Sequence, residues 1–493
     1  MQMKRRHYGL RRLRWVRRSM LLLVCSGLVC GSAYAQNAAA AARPAAAGGR
    51  EVLDLSWAWR MALEHDHDYR AAISEQAASQ TERAQGRAGL LPQVHAGYHR
   101  SRVIGKVTQP SLGQDETSSL DYDSLNAYVQ VQQPLLNYTR YASYRRGHAR
   151  ADMGKAIFRA RHEAAGLRLA NTYFNALLAH DKYVLQRSLT DSLRSQSTAI
   201  ETLYRQQEAT RIDVQETAAR LAVARADLID ARDQCTVALR ELEALLGEAP
   251  THMAALRDDI PLLPLVPSTL DEWLQAAHTR NADVQVARHA VSVAGTEVDV
   301  ASSRYMPTTD LVATYGRARS EDLSSLSQRT NTFSVGIQVN IPIFAGGYNR
   351  ANVARARSDR MRLQYELNAT VERTLAEVTR QYTNVRAGAD LIDALRAAEA
   401  SGELSLHSAR RGFAVGVSSN LEVLKVQDRL YQTRYQLAKA QLDYVLARLK
   451  LAVVAGTLDG ATFDQLNDTY LSRIVTLTDG LPGAVARGAR PIK

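Results

Sequence analysis

Between residues 90 and 458 the sequence sets out the same pattern twice. Leu90-Leu91-Pro92 and Tyr305-Met306-Pro307 each open a strand-like region, and their prolines stand 215 residues apart. Gln133-Pro134-Leu135-Leu136 and Ile341-Pro342-Ile343-Phe344 each close one, with prolines 208 residues apart. Residues 204–214 map on 413–423 at a spacing of 209. Three landmarks at nearly one spacing argue for an internal two-fold repeat of about half the chain, far longer than any solenoid unit.

Each copy holds two strands. Phe333, Val335, Ile337, Val339 and Ile341 alternate with polar or small residues, as do Leu125, Ala127, Val129 and Val131. Weaker partners are Val94, Ala96 and Tyr98, then Leu311, Ala313 and Tyr315. Period two with one polar face suits a barrel between lipid and water, and equally a hairpin of a soluble domain. The stretches 104–124 and 318–331 between partners are polar, which predicts loops. Four strands cannot close a transmembrane barrel, which takes about eight or more. A membrane reading therefore requires several copies, and three would supply twelve strands. Tyr98, Tyr138, Phe344 and Tyr348 are candidates for interfacial aromatic girdles.

The rest predicts helix. Residues 138–207 contain no proline, and seventy helical residues reach on the order of 100 Å. The stretch 349–411 is the counterpart, and 212–246 and 421–455 follow as shorter helices. Single helices are expected over 53–87 and 270–304. In 436–454, Leu437, Ala440, Tyr444, Ala447, Leu451 and Val454 form one apolar stripe. Leu442, Leu446, Leu449 and Val453 form a second, roughly opposite. Gln441 and Arg448 lie between the stripes on one side, and Lys439, Asp443 and Lys450 on the other. Two apolar flanks and two wet faces fit a curved wall of helices around a tunnel, and also a helix inside a bundle.

The N-terminus reads as a secretory signal over 1–35. Eight basic residues precede an apolar run too short to span a bilayer, and Ala33-Tyr34-Ala35 offers a small-x-small cleavage site. Arg17-Arg18 lacks the rest of a twin-arginine motif. Val29 stands where a lipobox before Cys30 needs a small residue. The chain has 62 basic and 50 acidic residues, for a net +12. Removing the signal's eight leaves 54 against 50, so the basicity is mostly targeting and does not argue for nucleic acid. Cys25 and Cys30 depart with the signal. Cys235 alone remains, which excludes an internal disulfide and any site needing two cysteine ligands. The expected organisation is a signal at 1–35, a flexible segment at 36–50, a first repeat at 51–250, a linker at 251–268, a second repeat at 269–458 and a C-terminal tail at 459–493.

Two turns punctuate the long helices. Gly416 suits a left-handed helix C-terminus. Thr210 with Asp213, and Ser419 with Glu422, match capping boxes that start the next helix. Capping is the plain role of these acids. If the turns ring a tunnel mouth, the same acids become a charged ring. His65-Asp66-His67-Asp68 superficially resembles a metal cluster, but neighbours on a helix point apart, so a solvated helix end is expected. No nucleophile-elbow, phosphate-loop or dinucleotide motif occurs in the required context.

At these residues the chain resembles the TolC family of outer-membrane efflux and type I secretion channels. The resemblance runs from about residue 53 to 458. It is best through Phe413-Ala414-Val415-Gly416, Asn420-Leu421-Glu422-Val423-Leu424 and Ala455-Gly456-Thr457-Leu458. Leu90-Leu91-Pro92-Gln93, Tyr173-Phe174-Asn175, Asp213-Val214-Gln215 and Ile341-Pro342-Ile343-Phe344 add to it. It implies a mainly α fold with a small transmembrane β part: a homotrimer with a twelve-stranded barrel in outer-membrane lipid, four strands per chain, and a long periplasmic α-barrel. It implies a passive duct with no enzymatic activity and no cofactor. An inner-membrane ABC transporter or other pump and a periplasmic membrane-fusion adaptor would recruit it.

Where the family often carries two entrance acids three residues apart, this chain has Glu422 and Lys425. Where some members have a tyrosine–arginine latch, it has Phe413 and Ser418. Gln207 stands where the first turn often has glycine. The absence of a lipobox leans toward type I secretion of a protein toxin. Small-molecule efflux is the alternative within the family, and a soluble periplasmic coiled-coil adaptor the alternative outside it.

Overall fold

A computed structural model of the protein describes residues 52–111, 114–321, 327–458 and 460–477. The proposed signal and the 36–50 segment lie outside the described residues. In chain order the elements are α1 (Leu55–His65), α2 (His67–Ala88), β1 (Gln93–Ser111), β2 (Gln114–Asn137), α3 (Tyr138–Arg205) and α4 (Arg211–Leu246). There follow β3 (His252–Leu256), α5 (Leu270–Arg280), α6 (Ala282–Ser303), β4 (Thr308–Glu321) and β5 (Ser327–Asn340). Last come α7 (Tyr348–Ala414), α8 (Asn420–Val454), α9 (Gly460–Tyr470) and β6 (Leu471–Thr476). α3 is 68 residues long and α7 is 67, so each extends on the order of 100 Å.

The four long strands make one antiparallel sheet in the order β1-β2-β4-β5, so β2 and β4 join the two halves. The stretches expected as loops are mostly strand. Pairing of β1 with β2 continues to Ser111↔Gln114, and of β4 with β5 to Glu321↔Ser327. Backbone pairing needs no apolar side chains, and here polar pairs flank it. Arg102 is bidentate to Asp121 at 2.8 and 2.9 Å, and Arg100 donates to Asp123 at 2.9 Å. Both edges of the sheet, β1 and β5, are unpaired among the described residues of the chain.

The two helices that precede the strand pairs each break once, against expectation. Asp66 ends α1 and caps α2, its carboxylate accepting from Asp68 N at 2.9 Å. Asn281 likewise ends α5 and caps α6, accepting from Val284 N at 3.0 Å. The breaks stand 215 residues apart, the repeat spacing. The His65–Asp68 stretch is therefore a helix junction rather than a solvated end. Asp66 is buried, and Arg168 of α3 pairs with both Asp66 and Asp68. Among the described residues no cluster of three or more His, Cys, Asp or Glu side chains could hold a metal ion.

The main core lies midway along the long helices. Tyr173 and Phe174 of α3 meet Leu55 of α1, Leu242 of α4, Met253 of β3 and Phe463 of α9. Trp59 stacks on Phe463 at 5.1 Å. The stretch expected as a linker contributes β3, and the expected tail contributes α9 and β6. β3 pairs with β6, and Leu53 bridges to Met253. Tyr173 Oη donates to Ala254 O at 2.6 Å, and burial pushes its phenol above the usual range. Residues of the 251–268 stretch also cover one face of α8 that was expected to be wet. Gln441 is buried beside Asp258 O, and Arg448 donates to Leu263 O at 2.5 Å.

Candidate functional site

The end of the long helices remote from the sheet carries the two sequence-predicted turns. Both α3 and α7 end in the same motif. Glu208 N donates to Leu203 O at 2.9 Å and Gln207 N to Tyr204 O at 3.0 Å. In the second turn Val417 N donates to Gly412 O at 2.8 Å and Gly416 N to Phe413 O at 3.0 Å. This is the six-to-one, five-to-two pairing that places one residue in the left-handed region. Gly416 occupies it at φ 77°, and Gln207 occupies it at φ 66°. Gln207 is the one non-glycine residue with positive φ among those described. A side chain there costs about 1 kcal/mol relative to glycine. Gln207→Gly should therefore stabilise the first turn by about that much, and Gly416→Gln should destabilise the second by a similar amount. Amide exchange of the two turns measures both.

The capping expectations divide. Thr210 and Asp213 form the full box: Asp213 N donates to Thr210 Oγ1 at 3.2 Å, and Thr210 N donates back to Asp213 Oδ2 at 3.0 Å. Ser419 accepts from Glu422 N at 3.2 Å, and the return bond is absent from this cap. The Asp213 carboxylate is thus engaged locally, while Glu422 is left to the surface. Glu422, Lys425, Arg429 and Gln432 step by three and four along the exposed face of α8. Phe413 packs half-buried against the cluster of Leu406, Ala409, Val423 and Leu430. Ser418 N donates to Gly412 O at 3.2 Å. Phe413 and Ser418 shape the turn and do not meet as a polar latch.

A different polar seam joins the two hairpins, and sequence reasoning missed it. Asn420 is 1% exposed, accepts from Gln196 Nε2 and donates to Thr217 Oγ1, both at 2.8 Å. Leu424 follows, packed with Leu189, Leu193, Leu221 and Ala224. Gln427 is fully buried, and neither its Nε2 nor its Oε1 has a hydrogen-bond partner in the described structure. Arg220 pairs with Asp428, and Tyr431 Oη lies 3.1 Å from Ser188 Oγ. Residues 420, 424, 427 and 431 step by four, three and four, the period of a coiled-coil seam. The available signal was polar residues at seam positions, where they specify register at a cost in stability. Away from this seam, burial pushes the Cys235 thiol up to about 11, so it is an unreactive packing residue.

The family profile described as outer membrane efflux protein matches residues 58–248 and again 273–457, both halves of the repeat. The chain belongs to this family. It is 34% identical over 424 residues to the alkaline protease secretion protein AprF of Pseudomonas aeruginosa, spanning 85% of this chain and 88% of that one. It is 31% identical over 441 residues to the proteases secretion protein PrtF of Dickeya chrysanthemi, spanning 89% and 95%. In fold it is similar to the CmeC outer membrane channel of Campylobacter jejuni, with a TM-score of 0.70 at 15% identity over 84% of this chain and 89% of that one. As an outer membrane efflux protein, the chain is a passive outer-membrane channel component of Gram-negative type, not an enzyme. Its sheet is the membrane part and its helices are the periplasmic extension. Tyr98 lies in the first third of β1, and Tyr138, Phe344 and Tyr348 lie at the helix–sheet junction. All four are exposed.

Proposed function

We propose that three copies assemble into the outer-membrane exit duct of a type I secretion system whose cargo is a secreted protein of the protease class. The observation that carries the assembly is the sheet. Its apolar face exposes Val335, Ile337 and Val339, and its long edges β1 and β5 have no strand partner among the described residues of the chain. Unprotected strand edges of this length invite pairing, and a twelve-stranded closed barrel satisfies them with no edge left over. The names of AprF and PrtF support protein export over small-molecule efflux, since both are secretion proteins for proteases. A periplasmic adaptor and an inner-membrane ABC transporter would supply recruitment and energy.

The hairpin tips form the periplasmic entrance in this reading. Glu422 and Lys425 provide a mixed ring there, Asp213 fixes the neighbouring helix start, and Phe413 and Ser418 shape the turn. A mixed ring is weakly selective. Lys425→Asp should make the ring wholly acidic, raising cation over anion permeability several-fold and strengthening block by divalent cations. Single-channel reversal potentials in a salt gradient measure this. Unchanged selectivity would remove Lys425 from the entrance.

The cargo is tested by replacement. Expressed in Pseudomonas aeruginosa cells lacking AprF, the chain should restore extracellular alkaline protease. An inserted trimer that leaves the protease inside the cell would argue for a different cargo class.

A further inference from the structure

We propose that a groove on the inner face of the helical wall, floored by α6 and rimmed by arginines of α3 and α7, binds cargo segments that carry both carboxylate and apolar side chains. The inference rests on the duct reading above. α6 packs against α3 on one side and α7 on the other. It ends at Ser303, and β4 begins at Thr308, so the groove lies next to the sheet. Over 290–304, about 20 Å of helix, Ala290, Val293, Ala294, Val300 and Ala301 line a cavity of about 570 Å³. These small side chains leave α6 recessed between longer ones from its neighbours, such as Met153 and Arg362. Met153 and Tyr173 of α3 stand twenty residues apart, as do Arg362 and Tyr382 of α7. Twenty residues turn an α-helix by about 200°. Tyr173 and Tyr382 donate to Ala254 O and Ser268 O, on the side covered by β3 and the 251–268 stretch. An open duct carries that cover outside, so the opposite face, with Met153 and Arg362, is the inner one.

The rims hold more positive charge than the groove neutralises. Arg146, Arg304, Arg355 and Arg362 line it together with two carboxylates, Glu297 and Asp359. Arg146 at 3.1 Å and Arg150 at 2.9 Å share Glu297. Arg355 and Arg362 both stand 3.9 Å from Asp359. Arg304 donates to Tyr348 Oη at 3.3 Å and lies over that ring. Counting Glu82 beside Arg150 and Glu366 beside Arg362, five guanidiniums still face four carboxylates. A guanidinium has five N–H donors in a planar fork, so one that shares a carboxylate can take another. Charge-assisted bonds at the rims and an apolar floor between them select a ligand with both kinds of group. A polypeptide passing along the duct meets the groove lengthwise, and 20 Å spans about six extended residues.

The test uses the full-length trimer in a planar bilayer. The blocker is a short peptide of leucine, glutamate and serine in equal parts. One comparison peptide has lysine in place of glutamate, and another has serine in place of leucine. The first peptide should interrupt the wild-type current at about tenfold lower concentration than either comparison. The Arg146→Gln, Arg304→Gln, Arg355→Gln triple variant should raise its half-blocking concentration at least about tenfold, the loss of one or two charge-assisted contacts. The matching triple Lys variant should keep much of the block. Arg145 pairs with Asp299 on the opposite side of α6, so Arg145→Gln should change nothing. Equal block by either comparison peptide, or a triple Gln variant blocked like wild type, overturns the proposal. Should the triple variant fail to insert, Arg304→Gln alone carries the comparison, with a several-fold rise expected. A wild type that never inserts sinks the duct reading itself, whereas a conducting trimer that the peptide leaves unblocked sinks this proposal alone.

Discussion

Gln427→Leu should raise the stability of the hairpin seam by about 2 kcal/mol and lower the open probability of the channel. Gln427 sits fully buried on α8 with both side-chain polar atoms unpaired. An unsatisfied buried group costs about 1–3 kcal/mol, and an apolar replacement of similar size removes that penalty. Leucine would also continue the packing of Leu424 against Leu189, Leu193 and Leu221. Asn420→Ala should act in the opposite direction. It strips partners from Gln196 Nε2 and Thr217 Oγ1 at a buried position, costing about 2 kcal/mol, and should raise conductance. Hydrogen exchange over 188–196 and 420–431 reports the stability, and single-channel recording reports the opening. If both variants moved stability and conductance together in the same direction, the seam would be packing and not a closure between hairpins.

Gly456→Ala should cost about 3 kcal/mol or more, and Gly247→Ala clearly less. The two glycines are repeat equivalents, 209 residues apart, each with positive φ just after α8 and α4. The left-handed backbone alone costs an alanine about 1–2 kcal/mol. The surroundings then separate them. A methyl group on Gly456 would lie 2.4 Å from the Arg280 carbonyl oxygen and 2.5 Å from its carbon, which belong to backbone held by the α5–α6 break. A methyl group on Gly247 would meet the His65 ring at 2.7 Å, and a side chain can turn aside. Asn281 ties the same break to α8 by donating to Val454 O at 2.9 Å, so displacing Gly456 pulls on that junction too. Thermal unfolding of the two variants gives the comparison, and equal losses would contradict it.

What could be read from the sequence follows physical lines. The long helices were legible because 138–207 offers no proline, and the structure ends that helix two residues earlier, at Arg205. The strands were legible where Phe333 to Ile341 alternates. Their full lengths were not, because beyond Arg100 and Asp123 the pairing is carried by backbone and ion pairs that leave no hydrophobic period. The breaks at Asp66 and Asn281 did leave a signal: a capping residue followed two positions later by an acid, Asp68 or Asp283, at the repeat spacing. The apolar flanks of α8 were correctly seen, but one wet face was covered by the stretch around Asp258 and Leu263, a contact between distant segments that no local pattern encodes. At the tips, Thr210 and Asp213 announced a cap. Asn420 and Gln427 gave only the ambiguous signal of polar residues at seam positions, which look like surface residues until the facing helix is known.

Purification from outer membranes followed by planar-bilayer recording tests the central claim most directly. The account predicts a detergent-stable trimer that inserts and passes current in discrete unitary steps, with Asn420→Ala raising the step size or open time. A monomer that stays in the soluble periplasmic fraction and never inserts would contradict the account and favour a soluble coiled-coil protein.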